Sequence, residues 1–153
     1  MSIPASPTGA FLVALTPEAS ESIRAQEINI PFVPFRVGRE SRQYRWKEVG
    51  LVGERRRSDP PNNDLYLIER DDVMNVSREH FLIDRDSGGF HLLDRGSACG
   101  TLVEGRVAGH GGAPRIGLAD HDVIIVGGSS SRQIFKFRLE SPGGTKPERG
   151  PVR

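Results

Sequence analysis

Phe135-Lys136-Phe137-Arg138-Leu139-Glu140 alternates apolar and charged side chains without a break. An extended chain points successive side chains to opposite faces, so this segment sorts into one dry side and one wet side. The same period recurs at Phe11, Val13 and Leu15, and at Phe90 and Leu92 around His91. Leu65-Tyr66-Leu67-Ile68 and Val123-Ile124-Ile125-Val126 are short apolar runs, which read as more fully buried strands. Turn signals separate these runs: Asp59-Pro60-Pro61-Asn62-Asn63, Asp86-Ser87-Gly88-Gly89, Gly109 to Pro114, and Gly127-Gly128-Ser129. Pro17 to Gln26 supports a helical turn or two. Many short strands, regular turns and few or no helices predict an all-β protein, an antiparallel sandwich or barrel.

Composition narrows the function classes. A chain of 153 residues holds one domain with a proper core. Its 18 glycines and 11 prolines favour turns over long helices. A formal charge of +1 excludes general attraction to nucleic acid or membrane, so charge-based recognition must come from local clusters. Cys99 stands alone, which excludes an internal disulfide and a multi-cysteine metal site and suits a reducing cytoplasm. The apolar run Phe11 to Leu15 is too short for a membrane span, and no basic segment precedes it as in a signal peptide. His80, His91, His110 and His121 are scattered with no short-range pair, so no metal or cofactor is expected.

Three segments read as lying outside the core. Residues 1–10 are Pro- and Ser-containing and expected to be flexible, and 141–153 are expected to be a disordered tail, leaving 11–140 as the domain. Within it, residues 41–62 carry Arg42, Arg45, Lys47 and Arg55-Arg56-Arg57 against Glu48, Glu54 and Asp59. A solvated loop of this length inside a compact domain is unusual and is often functional or mobile, and this one reads equally as an inert loop or as a contributor to acidic or phosphorylated partners.

Three motifs follow one another: Gly38-Arg39, then Ser77-Arg78-Glu79-His80, then the segment Asp94 to Gly105. Each is expected at a strand end, where a loop presents side chains from a rigid scaffold. A phosphate dianion calls for donors that stay charged or well aimed. Arginine offers a planar fork, serine a hydroxyl, and a tight turn its backbone N–H groups. Arg39, Ser77 and Arg78 on neighbouring loops would make such a site. Taken singly, each motif reads better as an ordinary turn or strand start; their joint occurrence in this order within an all-β chain is the signal.

That ordered set, with Gly100-Thr101 followed closely by Gly105, resembles the signature of the forkhead-associated (FHA) family, over about Phe11 to Glu140. The resemblance implies a sandwich of about eleven strands whose loops at one end grip a phosphothreonine peptide, without catalysis. It implies Arg39, Ser77 and Arg78 as phosphate-binding residues and Ser97, Ala98 and Cys99 as peptide-contacting positions. Gly38, His80, Gly100 and Thr101 become structural supports. It also implies a phosphothreonine-containing partner protein, a Ser/Thr kinase or its substrate.

The departures from the family pattern are specific. Cys99 stands where the family usually has an asparagine that holds the peptide main chain, and a thiol is a weak donor and acceptor. Ala98 lacks the hydroxyl that some members place there, and Glu104 replaces the asparagine usual before Gly105. In the family a few residues separate the Gly-Arg from the polar pair resembling Asn63-Asp64, whereas here the whole basic stretch intervenes. Two other function classes have weaker support. An interaction module with little phosphate dependence would follow from the substitutions at 98 and 99. A nucleic-acid-binding β-domain would use the basic stretch, but only Tyr44 and Trp46 lie near its charges to stack on bases. A hydrolase built from Ser77, His80 and Asp84 would need side chains too close along one strand to converge, and there is no Gly-x-Ser-x-Gly elbow.

Overall fold

Alternation becomes burial. In the computed structural model, which describes residues 7–40, 45–46, 51–52, 60–69 and 75–140, Phe135 and Phe137 are 1% and 0% exposed, while Lys136 and Arg138 between and beyond them stay partly in solvent. The first alternating segment inverts the expected face: Ala10, Leu12 and Ala14 line the core, whereas Val13 is only partly buried and Leu15 is 46% exposed. Phe11 is buried on the outer face, where the Arg138 guanidinium lies 4.1 Å from its ring centre.

The strands in order are β1 (Ala10–Ala14), β2 (Glu27–Asn29), β3 (Phe35–Arg39), β4 (Arg45–Trp46), β5 (Leu51–Val52), β6 (Leu65–Leu67), β7 (Phe81–Asp86), β8 (Gly89–Asp94), β9 (Thr101–Val103), β10 (Arg106–Ala108), β11 (Arg115–Leu118), β12 (Val123–Val126) and β13 (Ile134–Leu139). Two sheets form the sandwich, one of six strands in the order β10-β9-β12-β13-β1-β2 and one of five in the order β11-β8-β7-β3-β6. These account for the expected eleven, and β4 and β5 form a separate two-stranded hairpin within the basic stretch. Leu12, Ile30, Val37, Leu67, Phe81, Ile83, Leu92, Ile124, Phe135 and Phe137, each no more than 1% exposed, fill the space between the sheets. Large apolar side chains buried in this way contribute about 1.5–3 kcal/mol apiece.

All sandwich pairings are antiparallel except one: β3 and β6 run parallel, with Val37 opposite Leu65 and Arg39 opposite Leu67. Parallel neighbours need a long crossover, and the segment containing β4 and β5 supplies it. Asp64 receives the returning chain, accepting from Arg36 Nε and Nη2 at 3.0 Å each and from the Arg36 amide at 2.8 Å.

The expected helical turns are the helix α1 (Pro17–Ile23). The Thr16 hydroxyl caps its first turn by accepting from Ala19 N at 3.1 Å, and Arg24 ends it in the left-handed region at φ 56°. From α1 the buried Ser22 hydroxyl accepts from Ile68 N and donates to Gln133 Oε1. Gln133 Nε2 in turn donates to Ile68 O at 2.8 Å, so this polar knot joins the two sheets at an edge.

Strand β1 starts at Ala10, which is 0% exposed, one residue before the expected domain boundary. Residues 1–6, the tail 141–153 and the triplet Arg55-Arg56-Arg57 lie outside the described residues. No helix among the described residues is long and apolar enough to cross a membrane.

Candidate functional site at the loop end of the sandwich

Gly38 and Arg39 end β3 against the loop that leads into β7. A methyl group placed on Gly38 would lie 2.1 Å from the Arg78 carbonyl oxygen and 2.7 Å from the Asn63 side-chain amide. Only glycine lets the backbones approach this closely. Arg39 then donates its amide to Ser77 O and its Nε to Val76 O, both at 2.9 Å. Its guanidinium is thereby fixed beside the Ser77 turn.

His80 organises that turn. Its Nδ1 accepts the Ser77 amide at 2.9 Å, and its Nε2 lies 2.8 Å from Gly100 O. An amide can only donate and a carbonyl can only accept, so Nδ1 bears the lone pair and Nε2 the proton. The ring is the neutral tautomer, fully buried, and burial lowers its pKa below the ordinary 6.5 against weaker opposing effects of Gly100 and Asp94. Ser77 is held on every backbone side. Its hydroxyl oxygen accepts from Ala98 N at 2.9 Å, which leaves the hydroxyl hydrogen to donate. Arg78 next to it is exposed. Upstream, the Glu69 carboxylate accepts from the amides of Asn75 and Val76 at 3.1 and 2.9 Å.

The loop between β8 and β9 is closed by Asp94 and Ser97. Asp94 accepts from the amides of Gly96 and Ser97 and from the Ser97 hydroxyl, which itself accepts from Gly100 N at 3.0 Å. Ser97, expected among the peptide-contacting residues, is 8% exposed with its hydroxyl committed to the loop. Ala98 is exposed and Cys99 half-buried. Gly100 takes φ 75°, and its carbonyl also accepts from Gly127 N, tying the loop to the one after β12. Thr101 begins β9 fully buried, and its hydroxyl has no hydrogen-bond partner among the described residues.

Two bracing residues had no assigned role in the sequence reading. Asn63, 3% exposed, donates to Arg78 O at 2.7 Å and accepts from Arg95 Nη1 at 2.6 Å. Arg95 Nη2 donates to Asn62 O, and the same guanidinium lies 3.8 Å from Glu79. The signal was present, since Asn63 belongs to a noted polar pair and Arg95 sits inside the third motif. What it lacked was a partner visible along the chain.

The structure therefore brings Gly38, Arg39, Ser77, Arg78, His80 and Ala98 to Gly100 into one cluster. The FHA domain family model matches residues 35–127. The chain belongs to the FHA family. Solved FHA structures share its fold. The FHA domain of CT664 from Chlamydia trachomatis aligns at TM-score 0.52 and 18% identity, covering 86% of this chain and 98% of that one. The FHA domain of an Arabidopsis thaliana hypothetical protein aligns at TM-score 0.52 and 20% identity, covering 95% and 98%. Mycobacterium tuberculosis EmbR, in complex with a low-affinity phosphopeptide, aligns at TM-score 0.52 and 22% identity over 90% of this chain. The chain spans 26% of EmbR's length. No curated protein matches.

The family match ends before β13 and begins after β2. Strands β1, β2 and β13 nevertheless complete the six-stranded sheet of this FHA domain. Both nitrogens of His80 are used by backbone groups, and the Ser77 group that reaches the ring is its amide, not its hydroxyl. A Ser-His nucleophile pair is not assembled here. No cluster of metal-ligating side chains forms among the described residues.

Proposed function

We propose that this FHA domain is a phosphothreonine-peptide-binding adaptor that recruits a phosphorylated partner protein in the cytoplasm. The observation that carries the reading is the setting of Ser77. Its carbonyl is held by Arg39 N, its amide by His80 and its hydroxyl oxygen by Ala98 N, so its remaining O–H donor stands beside the pinned Arg39. Arg39, Ser77 and the exposed Arg78 supply the phosphate donors in this reading. Hydrogen bonds to a charged group contribute about 1.5–3 kcal/mol each, so three of them, less ordering costs, support roughly micromolar affinity.

Gly38, His80, Gly100 and Thr101 act as supports, with Ser97 closing the peptide-side loop and Ala98 and Cys99 facing the peptide. Discrimination of phosphothreonine from phosphoserine rests on the γ-methyl, for which a fitted pocket gives about 1–3 kcal/mol. The partner class that fits is a Ser/Thr kinase or its substrate. Fluorescence anisotropy with one peptide in phosphothreonine, phosphoserine and unmodified forms tests this. The expected order is phosphothreonine tightest and unmodified weakest. Equal binding of the unmodified peptide would sink the reading.

A further inference from the structure

The loop between β10 and β11, residues 109–114, is docked on the peptide-side loop. A methyl group on Gly109 would lie 2.3 Å from the Asp94 carboxylate, and one on Gly100 would lie 3.0 Å from His110 Cβ and 2.9 Å from Ala108 O. Asp94 N also donates to Pro114 O at 3.0 Å. The two loops are thus registered against each other at both ends of the Asp94–Gly100 segment. Inside the docked loop, Gly109 donates to Ala113 O and Gly112 to Gly109 O, both at 2.8 Å. This is a built turn.

His110 stands out within it. The chain passes through the left-handed region three times running, at Gly109 (φ 75°), His110 (φ 47°) and Gly111 (φ 85°). Glycine occupies the first and third positions at no steric cost; a side chain at the second is strained. That side chain is exposed and makes no hydrogen bond or ion pair among the described residues, so the loop gains nothing visible from it. Its Cβ lies beside Gly100, next along the chain to Cys99, one of the peptide-side positions of the proposed reading.

Resting on the phosphopeptide reading above, we infer that His110 is a peptide-contacting residue. Its imidazole donates a hydrogen bond to the peptide backbone or an acidic side chain flanking the phosphothreonine, in place of the amide absent at Cys99. An imidazole offers an N–H donor in either protonation state, which a thiol does so only weakly.

His110→Gly separates contact from structure, because glycine relieves the left-handed strain. The expected result is an unchanged or higher Tm with phosphothreonine-peptide affinity lowered roughly fivefold, the loss of one hydrogen bond. In the wild type, the His110 ring resonances shift on peptide addition in a heteronuclear NMR titration. His110→Asn, which tolerates the left-handed region and keeps a donor, recovers part of the affinity. Unchanged affinity in His110→Gly, or a lowered Tm showing that the imidazole serves the loop itself, overturns the assignment. Arg39→Ala is the control. If wild type binds and Arg39→Ala does not while His110→Gly binds normally, only this inference fails. If wild type ignores phosphorylation, the functional reading fails with it.

Discussion

The loop before β7 and the loop between β8 and β9 meet at one hydrogen bond, from Ala98 N to Ser77 Oγ, and are furnished in opposite ways. On the β7 side the backbone is consumed by bracing contacts, and in the proposed reading the Ser77 hydroxyl hydrogen and the exposed Arg78, beside Arg39 at the end of β3, serve the ligand. On the β8–β9 side the scaffold is as firmly made, through Asp94, Ser97 and Gly100, but the exposed Ala98 and the half-buried Cys99 carry a methyl and a thiol. The difference teaches that building a loop and arming it are separate properties of a sequence. Phosphate recognition and peptide recognition should then respond separately to mutation.

The largest effect belongs to the armed side. Arg39→Ala is expected to cost about 2–5 kcal/mol in phosphopeptide binding, as for removal of one partner from a desolvated charge pair. Titration calorimetry reads this directly. A loss within about 0.5 kcal/mol, the usual range for an uninvolved surface substitution, would mean that the phosphate lies elsewhere. Gly38→Ala comes next and attacks the same side through its backbone. Its methyl must displace Arg78 O from 2.1 Å, so overpacking of about 1–3 kcal/mol is expected in chemical denaturation. Unchanged stability would show that the close approach is not needed.

Most of the fold was legible because alternation is local. Phe135 and Phe137 declared their buried face without any partner in view, and Pro17 to Gln26 declared a helical turn. The parallel pairing of β3 with β6 was not legible, because strand direction depends on where a long connection returns the chain. On the site, the residue types at 39, 77 and 78 suggested phosphate chemistry. The reason for Gly38 did not appear in the sequence, since it is the distant carbonyl of Arg78. Ser97 illustrates the same point from the other direction. Its hydroxyl faces inward to Asp94 and Gly100, a choice made by loop geometry that no residue type announces.

His80 joins the two loops, and pH probes the join. The folded ring is neutral with its pKa lowered by burial, whereas the unfolded histidine titrates near 6.5. As pH falls below 6.5 the unfolded chain takes up a proton that the folded chain resists, so stability declines until the folded pKa is reached. The slope is at most about 1.4 kcal/mol per pH unit for one proton. In thermal denaturation from pH 7.5 down to 5.5 (roughly the span in which histidine titrates), wild type is expected to lose more Tm than His80→Asn. The remaining histidines are common to both proteins and cancel. Parallel Tm curves would mean that His80 is not the buried neutral link between the loops.

The smallest effect arms the other side. Cys99→Asn restores the residue type usual in the family at a half-buried position in a loop already closed by the hydrogen bond from Gly100 N to Ser97 Oγ. Because the scaffold is in place, the added amide should act as a ligand group rather than as a brace. One hydrogen bond to the peptide main chain gives about 0.5–1.5 kcal/mol, up to roughly tenfold in Kd. The gain should be the same for phosphothreonine and phosphoserine peptides, since the amide would touch the main chain and not the phosphorylated side chain. It should also survive in the Arg39→Ala background, where phosphate affinity is lost but the peptide-side contact is not. A gain that vanishes in that background would show the two sides coupled, and the separation between building and arming would then hold for the apo loops alone.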